Sequence, residues 1–220
     1  MYYILVVKME VVEMKNKIGW VDGKDNIAVV RYNSNGEIVP IPGDAIANNL
    51  KIKGSLYVLS PIEGSLYVEG AEIGISLYAN GAKIGDSLYA NGAKIGDSLY
   101  ANGAKIGESL NVRNAEIGGA LYAENAKIGG LLDAENAKIG EWLDARNAEI
   151  GESLDARDAK IGEWLDAEGV KTISLNVRNA EIGGALYAKN AKIGGLLDAE
   201  NAKIGGLLDA ENAKIGELLD

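Results

Sequence analysis

The 220-residue chain contains no cysteine, no histidine and no phenylalanine. Its only threonine is Thr172. Without cysteine there is no disulfide framework and no thiolate nucleophile. With histidine also missing, zinc and haem sites of the usual kind and imidazole acid–base chemistry are excluded. A cysteine-free chain fits a reducing compartment, and a cytoplasmic location is the expectation. Positive charge is also scarce, since the formal net charge is -10. Binding through nucleic-acid phosphates draws its affinity from Lys and Arg, so nucleic acid is not an expected partner. The Lys and Glu that are present are interspersed, the pattern of a solvated surface. A long hydrophobic run is missing as well. The opening MYYILVVKMEVVEMKNK is broken by Lys8, Glu10 and Glu13 and has no basic leader, so neither a signal peptide nor a membrane span is expected.

What is abundant is Leu, Ile, Ala and Gly, a narrow set that suggests identical layers. The stretch Ser76–Glu108 says one eleven-residue sentence three times: SLYANGAKIGD, SLYANGAKIGD, SLYANGAKIGE. The repeat begins near Asp44, with DAIANNLKIKG already in register. Two units are one residue short, Ser55–Gly64 with Pro61, and Trp164–Ile173. Blocks Ser109–Gly140 and Ser174–Gly205 differ at one position only, Glu124 against Lys189. Whole-unit duplication is easy when each unit touches only its neighbours, which is the logic of a solenoid.

Within the unit Ser87–Asp97, Leu88 and Ala90 are apolar and two apart, as are Ala93 and Ile95. Period two means two short strands, each with one side in and one side out. Asn91-Gly92 turns one corner and Gly96-Asp97 the other. A helix would carry two breakers per unit, at roughly 1 kcal/mol each. The expected fold is therefore all-β, a right-handed parallel β-helix (β-solenoid) of eleven-residue two-strand repeats over 44–220. Residues 1–43 form a small N-terminal β cap over its first coil. In the cap, Met1–Met14 reads as a strand, and Val21-Asp22-Gly23-Lys24 and Asn33-Ser34-Asn35-Gly36 read as turns. Ile27–Tyr32 and Glu37–Ile41 then form a hairpin, and Pro40 and Pro42 mark the entry to the repeats. A coil holds either one unit or two. The spacing of Trp142 and Trp164, and the small volume of Leu, Ala, Ala and Ile, favour two units and 22 residues per coil. Two further expectations follow. The glycine after each Ile (Gly85, Gly96, Gly107 and onward) adopts positive φ, and Asn114, Asn125, Asn136, Asn147 and their successors form an amide ladder at one corner.

The segments A-K-I-G-D, A-E-I-G-G and A-K-I-G-E are similar to the pentapeptide-repeat pattern, although L-Y-A-N-G between them puts the large residue first and each strand pair takes eleven residues. That resemblance implies a four-sided right-handed solenoid and, for some members, an acidic mimic of duplex DNA. The alternation of x-L-x-A/V-x-G with A-x-I-G resembles bactofilins, the polymer-forming cytoskeletal β-helix proteins. It implies a structural protein that assembles.

The outward positions define the candidate surfaces. Tyr57, Tyr67, Tyr78, Tyr89 and Tyr100 occupy one repeat position, as do Tyr122 and Tyr187. They read either as a ladder that stabilises the sheet or as a stripe that stacks on a polysaccharide or a protein. The candidate interaction surface is Tyr67, Tyr78, Tyr89 and Tyr100 with the corner residues Trp142 and Trp164. Asp133, Asp144, Asp155, Asp166, Asp198, Asp209 and Asp220 take the tyrosine position later on. Stacked carboxylates suit Ca²⁺, but Arg146 and Arg157 can neutralise them without metal, so no metal or other cofactor is expected. Periodic Asp offers no unique acid and base, so no enzyme is expected. An ice-binding ladder would need many Thr. The last residues, 217–220, stop within a unit. Two readings stay open there, assembly of a second copy on that edge or a truncated or recently expanded frame. The expected function is a non-enzymatic scaffold that self-assembles end to end, with a tyrosine-stripe binding module and an acidic DNA mimic as alternatives.

Overall fold

The computed structural model describes residues 25–216. Among these residues the regular structure is entirely β, in 32 short strands, most of them two residues long. The strands stack in parallel into four sheets that form the sides of a solenoid of about eight coils, with about 22 residues in each. We label the sheets in the order the chain visits them. In the coil Ser76–Asp97, Leu77–Tyr78 lies in sheet A, Lys83–Ile84 in sheet B, Leu88–Tyr89 in sheet C and Lys94–Ile95 in sheet D. Leu99–Tyr100 then returns to sheet A, directly beside Leu77–Tyr78. One coil is thus two sequence units, and adjacent units place the same motif on opposite sides.

Register is kept column by column. Leu77 pairs with Leu99, and Leu99 with Leu121, on sheet A. Ile84, Ile106 and Ile128 align on sheet B. The inward columns are Leu, Ala, Ala and Ile from both units, and the coils from Leu56 to Leu197 bury them almost completely. The period-two pattern sends Tyr, Asp, Lys and Glu outward. The two short units tighten a corner without breaking a column: Leu56 pairs with Leu77 and Leu154 with Leu175, 21 residues apart. At the second of these corners Thr172 fills the isoleucine position. Its hydroxyl lies 3.0 Å from the carbonyls of both Glu152 and Ser174, which share its one proton.

The segment 25–43 joins the stack directly. Ile27–Val29 pairs in parallel with Leu56–Val58 as the first strand of sheet A. Ile41 bridges to Ile62. Between them, Tyr32 and Ile38 form an antiparallel bridge. The loop is held by Asn33, whose Oδ1 accepts from the backbone N–H groups of Asn35 and Glu37. The Met1–Met14 strand, the Val21–Lys24 turn and the chain end at 217–220 lie outside the described residues.

Two local expectations are corrected. Positive φ is found at the other corner, between the Leu and Ile strands. There it is Gly81, Gly92 and Gly103 at +63 to +64°, and Asn114, Asn125, Asn136 and Asn147 at 54 to 58°. The glycine after Ile is needed for a different reason, the close approach of backbones. A Cβ on Gly107 would lie 1.8 Å from the carbonyl oxygen of Gly85, and one on Gly151 would lie 1.9 Å from that of Gly129. The asparagine amides form no ladder. A 22-residue coil divides them between two corners, and the amides of Asn125, Asn136, Asn179, Asn201 and Asn212 turn to an acidic neighbour. Asn136 and Asn125, for example, donate to the adjoining Glu135 and Glu124. Their role is the left-handed backbone, which Asn tolerates. The side-chain ladder stands at serine instead. Ser55, Ser76 and Ser98 Oγ each accept the backbone N–H one coil on, from Ser76, Ser98 and Ala120, at 3.3, 3.3 and 3.0 Å.

Candidate functional site

The sequence-predicted surface residues divide between two opposite sides. Tyr78 and Tyr100 lie on sheet A, and Tyr67 and Tyr89 on sheet C. On sheet A, Tyr57, Tyr78, Tyr100 and Tyr122 stack in succession. Their centroids are 4.8, 4.9 and 5.0 Å apart and their planes within 11° of parallel. Trp142 meets the edge of Tyr122 at 6.1 Å and 83°, and Trp164 stacks on Trp142 at 5.5 Å. The result is one run of six rings. At one sheet spacing per coil it extends roughly 24 Å along the axis. Tyr67 and Tyr89 form a separate stacked pair on sheet C at 5.0 Å.

Trp142 and Trp164 stand at the corner column that serines fill earlier. Trp142 Nε1 donates to Glu163 Oε2 at 2.6 Å. Trp164 leans over Gly184, where a Cβ would meet its ring at 2.6 Å. The missing side chain at Gly184 makes room for that indole, a pairing no single-unit pattern announces.

The stacking decides what the rings can do. Tyr78 has a ring on each side, and so has Tyr100, so their faces are occupied by neighbours. Sugar stacking needs a free ring face. Only the ends of the run differ. Tyr57 lies beside Ala28 of the first strand, and Trp164, at 43% exposure, has a ring partner on one side alone. On sheet A the tyrosines contact one another, coil against coil. Tyr100→Ser is expected to cost about 1–2 kcal/mol, since it removes two stacked contacts. Tyr187→Ser should cost less than half of that, because Tyr187 pairs with Asp166 and Asp209 instead of rings. Urea denaturation of the two variants checks the difference.

The aspartates serve the corners. Oδ1 of Asp133, Asp144 and Asp166 each accepts the backbone N–H two residues on, at 3.0 Å. Where tyrosine replaces aspartate, the asparagine one coil earlier takes over: Asn80 Oδ1 accepts from Asn102 N–H, and Asn102 Oδ1 from Glu124 N–H, both at 2.9 Å. Arginines cover the carboxylates. Arg146 pairs with Asp144 at 2.7 Å, and Arg157 with Asp155 at 2.6 Å and Glu135 at 2.9 Å. Arg113 and Arg178 pair with Glu135 and Glu200. Burial pushes the Asp133 and Asp166 carboxyls above the ordinary range, partly offset at each by a backbone hydrogen bond. Among the described residues, no group of three or more Asp or Glu is placed to hold a metal ion.

Sheets B and D carry the second charged position. On sheet D lysine and glutamate are mixed, and they pair: Lys51–Glu72 at 2.9 Å, Lys138–Glu116 at 3.0 Å and Lys203–Glu181 at 3.1 Å. On sheet B the column is Lys83, Lys105, Lys127, Glu149, Lys171, Lys192 and Lys214. Glu149 sits between two lysines, 2.7 Å from Lys171 Nζ and 3.0 Å from Lys127 Nζ. Hydrogen bonds from Lys171 and then Lys127 hold its carboxyl down to about 2. A carboxylate held low in the folded state contributes stability that is complete above its unfolded value. That contribution is lost as pH falls from about 4.5 toward 2. Carbon-detected NMR titration should find the Glu149 midpoint well below the ordinary glutamate value of 4.5, and Lys171→Gln should raise it. A Glu149 midpoint at the ordinary glutamate value would contradict the pairing.

No helix among the described residues is long and apolar enough to cross a membrane. Comparison of the chain with protein-family models, with curated proteins and with solved structures finds no match to any of them.

Proposed function

We propose that the protein is a non-enzymatic structural rod, a scaffold that self-assembles end to end. The observation that carries this reading is the coil–coil contact. Each coil meets the next through four parallel ladders and the same Leu, Ala, Ala and Ile columns. The upper edge of a coil therefore matches the lower edge of any other, and a coil from a second copy can continue the stack as a coil of the same chain does. The occupied ring faces also favour a structural role for the tyrosines. The bactofilin-like pattern supports the same use, a polymer-forming β-helix. An acidic DNA mimic has less support, because its carboxylate columns are interleaved with Arg146, Arg157, Arg178 and Lys189.

Light scattering over a concentration series, with electron microscopy of the same samples, tests the proposal. Mass should rise with concentration, and particles should lengthen at constant width. A strict monomer at high concentration overturns end-to-end assembly, and growth in width alone overturns the stacking mode.

A further inference from the structure

Like charges in register on neighbouring strands repel. Sheet D meets this problem by mixing Glu72, Glu116 and Glu181 into its lysine column. Sheet B, built from the same repeat position, leaves most of its lysines uncompensated. Lys83 pairs in register with Lys105 and Lys105 with Lys127, and further along Lys171 pairs with Lys192 and Lys192 with Lys214. Of these, Lys83, Lys105, Lys192 and Lys214 make no ion pair with any described residue, in a chain of net charge -10. Beside the column runs a shallow groove floored by Gly85, Gly107, Gly129, Gly151, Gly194 and Gly216. No side chain fills that floor, and at all of these except Gly194 the preceding coil excludes even a Cβ.

We infer that the lysine column of sheet B is a binding site for an extended carboxylated polysaccharide of the uronic acid type, lying along the glycine-floored groove. Glu149 is the internal pattern for the contact, a carboxylate held between the ammonium groups of the coil before it and the coil after it. In a 1,4-linked uronic acid chain with two-fold extension, one sugar advances about as far as one coil. Every second carboxylate then points at the sheet, one for each pair of lysines, as Glu149 serves Lys127 and Lys171. Other linear polyanions fit less well. An extended acidic peptide presents same-side groups roughly every 6.7 Å, against roughly 4.8 Å between coils. Duplex DNA carries its charges much more densely and is too broad for the site. The basic stripe is narrow. Asp86, Glu108 and Glu152 border it at the next corner, while the preceding corner alternates Glu124, Glu168 and Glu211 with Arg146 and Lys189. The acidic corner repels a wide polyanion and leaves room for a single thin chain along the lysines. The inference is independent of end-to-end assembly, since every contact lies along one side of one copy.

The test is titration calorimetry of the full chain with polygalacturonate fragments at low salt. Comparators are a neutral glucan, single-stranded oligothymidylate and polyglutamate of similar length. Polygalacturonate should bind tightest, and the binding should weaken as salt screens it. The triple variant Lys83→Gln, Lys105→Gln, Lys192→Gln should bind about tenfold more weakly, having lost three charge contacts. The matched sheet D variant Lys94→Gln, Lys138→Gln, Lys160→Gln should change affinity less than twofold. Glu149→Gln should bind more tightly than the parent, because it frees Lys127 and Lys171. The six lysines are exposed and the Glu149 side chain points outward, so folding is spared, and circular dichroism confirms it. The inference is overturned by absent polygalacturonate binding, by equal losses from the two triple variants, by tighter binding of oligothymidylate or polyglutamate, or by weaker binding of the Glu149 variant.

Discussion

Gly107→Ala should destabilise the protein by about 3 kcal/mol, although it adds only one methyl group to an exposed corner. The added Cβ would stand 1.8 Å from the carbonyl oxygen of Gly85 and 2.8 Å from its carbon. Both are backbone atoms of the preceding coil, so no side chain can rotate away. Relief requires the coils to separate locally, which stretches the bond from Gly107 N–H to the Ile84 carbonyl, 3.0 Å in the parent. The neighbouring glycine gives the contrast. Gly103 has φ +64°, and a Cβ there would meet nothing within 4 Å. Gly103→Ala meets only the left-handed backbone penalty, about 1 kcal/mol. Gly103→Asn should be neutral or slightly stabilising, because Asn114, Asn125 and Asn136 already hold φ of 56 to 58° at that repeat position. Chemical denaturation of the three variants should rank them Asn, Ala at 103, then Ala at 107. Equal costs at 103 and 107 would mean that the coils are not in the close contact described.

Most of the architecture is legible in the sequence because a period of two survives at Leu88–Ala90 and Ala93–Ile95 and in the units around them. The 22-residue coil is legible only indirectly, through the spacing of Trp142 and Trp164 and the small volume of Leu, Ala, Ala and Ile, since any two adjacent units look alike. The glycine after Ile reads as obligatory, but its cause does not show. Positive φ and close approach leave the same mark on a sequence, a glycine that seldom varies. Asparagine separates them: it occurs at the αL corner and never in the glycine column that a Cβ cannot enter. The serine ladder is hidden because a hydroxyl bonded to the next coil's N–H reads as an ordinary corner residue. The division of the tyrosines follows from coil size. At eleven residues per coil they would be one stripe, and at 22 they fall on sheets A and C. The difference between sheets B and D has the same origin. Read along the chain, lysine and glutamate look evenly mixed; read every second unit, Lys83, Lys105 and Lys127 stand together while Lys94 is followed by Glu116.

Because register repeats at both the unit and the coil, deletions should separate folding from surface pattern. Removing 98–119, one whole coil, should leave a cooperative fold one coil shorter. Tyr122 then stacks on Tyr78, and the aromatic run continues with five rings. Removing 120–130, a single unit, should also fold, since Leu132, Ala134, Ala137 and Ile139 enter the columns vacated by Leu121, Ala123, Ala126 and Ile128. Every later unit changes sides, however. Asp133 takes the place of Tyr122, and Trp142 and Trp164 move to sheet C behind Asn111, away from the tyrosines. The near-ultraviolet dichroism of the coupled rings should persist in the first deletion and fall sharply in the second. Removing only 120–124 puts Lys127 beside Tyr100 and Ile128 into the column of Ala101, and it places leucine strands on the isoleucine sides from there onward. Overpacked and mismatched columns cost about 1–3 kcal/mol per site, and about four later coils carry the error, so those coils should not fold. Thermal unfolding with hydrogen exchange separates the three outcomes: intact protection for the coil deletion, intact protection with altered ring signals for the unit deletion, and protection confined to the residues before 120 for the third. Protection surviving beyond 120 in that last variant would show that the columns tolerate Ile in place of Ala, and that the alternation of large and small residues does not set the register.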